Sequence, residues 1–447
     1  MNNPATKKPK VSFGRILAFS APSLPLAAFG LPIVVQLPPY YVEYVGLSLG
    51  VAGTIFMAAR ILDVFIDFGL GILMDKTSTK IGRFTPYLLV GSPIMAFFVY
   101  MLFMAKPGAS PYYLVFSLIG SYFAFSICML AQLGVGNSLS HDYNERSRIF
   151  SLWQVGNIIG MLMVLAIPVI VEKMGGSTAV GTQSMGVFIM IMMPLTAIIS
   201  FIFAKEGAPD VAAKHSDLKD IKLLLGISAF RRLLLSDFTV SFAMGVTGGM
   251  FLFFLSAIKG FHTQSHALML IYFVIGLLFT PLWTFISTKF GKHIAFGIAA
   301  IYTIISQSFL YFMPNGNFPI AALMIALSGI VYAAPILLLR AMVGDVGDED
   351  KLKSGHDRTG LLFASMTLTS KAGYAVSVGV SYLLLDMIDF KSAKDAINTS
   401  FALNGLQMIF MGFPAIAYVI IILLMKNYPL TRARVEDVQR QLAEKQS

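Results

Sequence analysis

Twelve long, nearly charge-free apolar runs dominate this sequence. Each is close to the ~20 residues needed to cross a hydrocarbon core roughly 30 Å thick. They fall at about 13–36, 47–74, 85–105, 111–139, 149–171, 184–204, 233–258, 265–288, 293–313, 317–343, 360–386 and 400–425. Barrel strands are only ~10 residues long and alternate in polarity, which these runs do not. A backbone in lipid must satisfy its hydrogen bonds within its own segment, so the runs read as helices. Charge content agrees, since 13% of the 447 residues are charged against about 25% in soluble proteins. The expected fold class is an all-α membrane protein with twelve transmembrane helices.

The longest interruption, residues 205–232, divides the runs six and six. The expected organisation is a six-helix bundle over 1–204, a linker over 205–232, a second six-helix bundle over 233–426 and a charged tail over 427–447. Met1 to Lys10 is polar and basic, and no small-residue cleavage site closes the first run, which ends in Gln36-Leu37-Pro38-Pro39-Tyr40-Tyr41. That run reads as an uncleaved first span. If the N-terminus is cytoplasmic, 26 of the 33 basic residues fall on the cytoplasmic side and 5 outside, with Arg60 and Lys371 inside the membrane. Such asymmetry predicts a multi-pass protein of the cell (inner) membrane with both termini in the cytoplasm. It also accounts for the net charge of +10 as topology and attraction to anionic lipid, so the lipid bilayer is an expected partner and nucleic acid is not. The single Cys128 allows no disulfide framework and no cysteine-based zinc site.

An ionisable group near the middle of a spanning helix costs roughly 2.5–3.5 kcal/mol. Four groups stand that deep: Arg60, Asp63 and Asp67 on the second helix and Lys371 on the eleventh. Asp237 reads as shallower, near the start of the seventh. All six histidines fall in loops or at helix ends, which argues against a buried histidine relay. Arg60, Asp63 and Asp67 are spaced i, i+3, i+7 and share one helix face. Counting back from Asp75 at ~1.5 Å per residue, Asp67 lies roughly 12 Å and Asp63 roughly 18 Å into the membrane. Secondary transporters place their sites at that depth. Two carboxylates a turn apart offer hard oxygen ligands to Na⁺, or a proton-binding pair. The alternative is a charge-balanced cluster that only packs the second helix on the eleventh, which apolar side chains would do at lower cost.

Several stretches resemble the glycoside–pentoside–hexuronide:cation symporter family, the melibiose permease-like branch of the major facilitator superfamily. Arg60, Asp63 and Asp67 match its R-x-x-D-x-x-x-D helix, and Asp75, Gly82, Arg83 and Pro86 match the loop behind it. Glu145, Arg146 and Arg148 are similar to its E-R-x-R turn. Gly344, Asp345 and Asp348 are similar to a second loop, followed by Lys371 and Gly373. The resemblance implies the major facilitator fold, with Asp63 and Asp67 ligating the coupling cation beside Lys371 and Arg60. They are metal ligands if that cation is Na⁺. It also implies that Asp75, Arg83, Glu145, Arg146 and Arg148 close a cytoplasmic gate.

The departures bear on substrate. Sugar-binding members carry acids on helices 1 and 4 and an arginine on helix 5. Here helix 1 has no acid over 13–36, helix 4 has Gln132-Leu133 and helix 5 has Trp153-Gln154 at those places. The polar residue beside the acid on helix 4 is missing too, since Leu130 and Leu133 ligate nothing, which favours H⁺ over Na⁺. The substrate candidates are Gln36, Tyr41, Gln132, Asn137, Trp153, Gln154, Asn157, Trp283 and Tyr374. Trp153 and Trp283 can equally be interface-belt residues. Expected is a monomeric secondary transporter that couples H⁺ or Na⁺ to a small polar solute: a sugar, glycoside or sugar acid. The alternative is a lipid, lysolipid or organic-anion transporter of the same fold. No enzyme constellation and no cofactor are expected.

Overall fold

The computed structural model describes residues 11–75, 77, 79–140, 143–206, 218–356, 358–392 and 396–446. Every named element among them is helical. The first span, α1, is broken into Phe13–Ser20, Ser23–Gly30, Pro32–Val35 and Leu37–Glu43. Proline lacks the N–H that a helix interior uses, and Pro22, Pro25 and Pro32 sit at or near the breaks. Then follow α2 (Leu49–Asp75), α3 (Thr85–Phe103), α4 (Pro111–Ser138), α5 (Tyr143–Lys173) and α6 (Thr178–Phe203). A short helix, Leu218–Leu225, lies in the linker. Next come α7 (Ser228–Phe253, continued by a π turn over Phe254–Ile258), α8 (Ser265–Leu278 and Thr280–Phe290) and α9 (Lys292–Phe309). The chain closes with α10 (Phe318–Gly329 and Ala334–Ser354), α11 (Thr359–Met387), α12 (Ser400–Met425) and a tail helix, α13 (Arg432–Gln446).

Eleven segments among the described residues are long and apolar enough to cross a membrane. The twelfth, α11, has the length at 29 residues. It carries Lys371 among Thr367, Thr369, Ser370, Ser377 and Ser381, which dilute its apolar character.

Two compact units emerge. The first is Met1–Pro32, Leu62–Ala105 and Tyr112–Ala213; the second is Ile33–Ile61, Lys106–Pro111 and Lys214–Ser447. The end of α1 and the first half of α2 therefore group with the C-terminal helices, a division that falls inside two spans as well as at the linker. Small residues explain why. In the second unit a Cβ on Gly50 would meet the Asp386 carboxylate, one on Gly53 would meet Tyr382, and Gly379 lies against Met57. Helices that approach this closely gain packing that lipid cannot replace. In the first unit Gly156 faces Ser23 and Gly160 faces the Leu24 carbonyl, so α5 rides on α1 in the same way.

Candidate functional site

The α2 acids come first. Asp63 is fully buried and Asp67 is partly buried. Oδ1 of Asp63 accepts a 2.9 Å hydrogen bond from the Ser126 hydroxyl of α4, and Ser126 is itself buried. Ser126 stands one turn earlier than Leu130, so α4 supplies a hydroxyl to Asp63 at a position the sequence pattern did not single out. The four atoms of two carboxylates plus one hydroxyl are a donor set of hard oxygens.

In the same unit α4 and α5 place three substrate candidates together. Gln132 is buried, gives its Nε2–H to the Phe19 carbonyl of α1 at 3.1 Å and accepts from Trp153 Nε1 at 3.2 Å. Trp153 also packs edge-on against Phe150, and Asn157 donates to the Trp153 carbonyl at 2.9 Å. Gln132 thus ties α1, α4 and α5 into one polar strut, with Trp153 and Asn157 partly exposed beside it. Gln154 and Asn137 are exposed.

In the second unit Gln36 lies at a break of α1. Its amide nitrogen and oxygen stand 3.0 and 3.1 Å from Nε2 of His266, at the start of α8. Both side chains are buried. The sequence places His266 at a helix end, but not inside the protein, because burial there depends on a partner 230 residues away. Tyr41 is fully buried and packs on Tyr40 and Phe56. Trp283 gives its N–H to the Ile330 carbonyl at 2.8 Å and is 2% exposed within the apolar core; its place is that of a core residue. Tyr374, with its hydroxyl toward Met244 Sδ, and Lys371 are half-buried on α11.

Two further charges stand within the long apolar helices. Helix α7 begins at Ser228, five residues before the apolar run, so Asp237 lies roughly 14 Å along it at ~1.5 Å per residue. It is 5% exposed and accepts from the Thr369 hydroxyl at 2.7 Å. Arg340 of α10 is the cation that acts on it. Arg340 stands inside a helix that runs on to Ser354. With them, the charges within these helices include the cations Arg60, Arg340 and Lys371 and the acids Asp63, Asp67 and Asp237.

The expected gate charges lie toward the ends of α2 and α5. Glu145 Oε2 takes the Val11 N–H at 3.2 Å and pairs with Arg148 at 3.3 Å, while Arg148 also holds the Val11 carbonyl. Arg83 donates to the Met74 carbonyl at 3.0 Å and lies over the Phe84 ring. The side chains of Asp75 and Arg146 lie outside the described residues. Glu206, which the sequence did not single out, gathers this face: its carboxylate accepts the N–H groups of Arg83, Phe84 and Thr85 and the Thr85 hydroxyl, all at 2.8–3.2 Å. A carboxylate at the start of α3 satisfies donors the helix leaves open and meets the positive end of its dipole.

A buried carboxylate in the middle of one long spanning helix bonded to a buried hydroxyl of another, inside an all-helical membrane fold, is an arrangement suited to a membrane transporter. Comparison with known proteins agrees. The family model described as MFS/sugar transport protein matches residues 18–432. A provisionally named glycoside/cation symporter, YagG of Escherichia coli (strain K12), is 26% identical over 423 residues, covering 90% of this chain and 89% of that protein. The sodium-dependent lysophosphatidylcholine symporter 1 of Xenopus tropicalis is 22% identical, covering 92% and 84%. The crystal structure of the nucleoside transporter NupG superposes with a TM-score of 0.68 at 15% identity, over 94% of this chain and 100% of that one; it speaks to the fold. The chain belongs to the MFS/sugar transport family, within its glycoside–pentoside–hexuronide:cation symporters. It is a secondary transporter and not an enzyme.

Proposed function

We propose that the chain couples H⁺ or Na⁺, bound at Asp63 and Asp67, to the movement of a sugar, glycoside or sugar acid by alternating access. The observation that carries this is the Asp63–Ser126 pair: a fully buried carboxylate hydrogen-bonded to a buried hydroxyl at 2.9 Å. Removing an acid from water in mid-span is costly unless its charge is used. A cation supplies that use, and Lys371 and Arg60 balance the acids when it leaves. Binding of cation and solute favour the same state, and linkage makes their effects reciprocal.

Solute contacts in this reading come from Gln132, Trp153 and Asn157; Tyr374 is a further candidate from the sequence. Gln36, Tyr41 and Trp283 serve packing and closure. The chain works as a monomer in the inner membrane, in two six-helix bundles, with both termini in the cytoplasm. Glu145, Arg148 and Arg83 then lie at the cytoplasmic gate, with Asp75 and Arg146 assigned beside them by family pattern. The test is uptake into membrane vesicles of labelled sugars, glycosides and sugar acids under an imposed Na⁺ or proton gradient. Asp63→Asn and Asp67→Asn should each abolish uphill accumulation, and undiminished accumulation in both would overturn the coupling assignment. Lysophosphatidylcholine belongs in the same screen, because a symporter named for that lipid matches most of this chain.

A further inference from the structure

The α7–α11 seam holds an acid that the coupling site does not use. Asp237 is 5% exposed among buried Leu233, Val240, Leu362 and Met366. Apolar side chains would fill such a seam at less cost than a carboxylate. What the acid does is bond across the seam: its Oδ2 accepts the Thr369 hydroxyl at 2.7 Å. The same hydroxyl lies 2.9 Å from the Met366 carbonyl of its own helix. It has one proton to give, and a charged acceptor makes the stronger bond.

Thr369 stands two residues before Lys371, and two residues after it stands Gly373. A Cβ there would meet the Phe238 carbonyl oxygen at 2.5 Å and the Phe242 nitrogen at 3.0 Å. At Gly373 the α11 backbone therefore lies close against that of α7, with the Ser241 Cβ 2.8 Å from where a Cβ would stand. The lysine is bracketed by a polar bond on one side and a backbone contact on the other, about one helical turn apart. Slipping α11 by a single residue would move Lys371 by ~1.5 Å and turn it by about 100°. Backbone contact alone resists approach and retreat; it does not select one register. A hydroxyl that must reach one carboxylate does.

We propose that Asp237 is a positioning residue for Lys371: through Thr369 it sets the register of α11 on α7, and so the place of the lysine that balances the coupling acids. The positive charge of Arg340 on α10 acts on the same carboxylate in this clasp. The inference rests on the role of Lys371 given above.

The test uses the purified full-length chain and the ion alone. Its melting temperature is followed as NaCl replaces choline chloride, and separately across pH, to give the midpoint of the ion-dependent shift. Thr369→Val, which removes the hydroxyl at nearly constant shape, should move that midpoint about tenfold, the weight of one hydrogen bond to a charged group. Thr369→Ser should restore it, and Lys371→Ala should move it at least as far. A lower melting temperature with an unmoved midpoint in Thr369→Val, while Lys371→Ala moves it, overturns the clasp and leaves the coupling reading intact. An unmoved midpoint in Lys371→Ala, or no ion dependence in the unaltered chain, overturns the lysine's role and the clasp with it. If Thr369→Val does not fold, Asp237→Asn is read the same way.

Discussion

Ser126 and Gln36 show how single residues divide between the legible and the hidden. The spacing of Arg60, Asp63 and Asp67 is written along one helix, so periodicity alone puts them on one face. Ser126 carries no such signal, since a serine in an apolar helix commonly bonds its own backbone, as Ser117 and Ser121 do. Only the packing of α4 on α2 shows that its hydroxyl reaches Asp63. Ser126→Ala should weaken coupling-ion affinity about tenfold, a charged-acceptor bond's worth, measured as the ion concentration for half-maximal uptake; Ser126→Thr should retain it. Gln36→Leu should leave Nε2 of buried His266 without this partner, at about 1–3 kcal/mol. A fall in melting temperature that Gln36→Asn only partly restores would show it, and an unchanged melting temperature would refute it.

Among the elements, lengths were legible and ends were not. Every apolar run became a helix because lipid leaves the backbone no other partner. The run over 233–258 stops short of the true start of α7, because Arg231 and Arg232 end the apolar signal while the helix begins at Ser228. That difference of five residues puts Asp237 further along the helix than the apolar run alone suggests. Likewise the run over 317–343 stops short of the end of α10, which continues through a charged stretch to Ser354. The start of α3 depends on Glu206, more than a hundred residues later in the chain. Glu206→Ala should cost about 1–2 kcal/mol as the N–H groups of Arg83, Phe84 and Thr85 lose their acceptor, seen as a lower melting temperature, with Glu206→Gln losing less. Gly82 belongs to this clasp: its φ of +117° is open to glycine, and a Cβ would strike the Glu206 carboxylate.

For the whole molecule, charge makes two further predictions. The bias of basic residues predicts that α13 is cytoplasmic, so a protease site placed after it should be protected in sealed right-side-out vesicles and cut in inverted ones. The second concerns Glu43, between the first two spans. Surrounding protein pushes its carboxyl up to about 7, although the side chain keeps solvent contact. The folded chain then holds this proton more tightly than the unfolded one. Its contribution is fully favourable below the ordinary value of 4.5 and is lost as pH rises toward 7. Solvent contact screens the effect, so the slope is shallow. Glu43→Gln should flatten the melting temperature between pH 4.5 and 7, and an unchanged slope would remove Glu43 as its source.

The sequence by itself determined the membrane fold, the number of spans and the acids of α2, since each follows from local pattern: run length against bilayer thickness, and charge against the cost of burying it. It also carried the family motifs. What only the tertiary structure decided are the partners. Asp63 with Ser126, Asp237 with Thr369, Gln36 with His266 and Glu206 with the start of α3 are pairs between helices distant in sequence. So is the grouping of residues 33–61 with the C-terminal helices. A helix advertises in its sequence which face is polar, but the polar atom that satisfies that face belongs to another helix. Which one it meets is set by how closely small residues let the backbones approach.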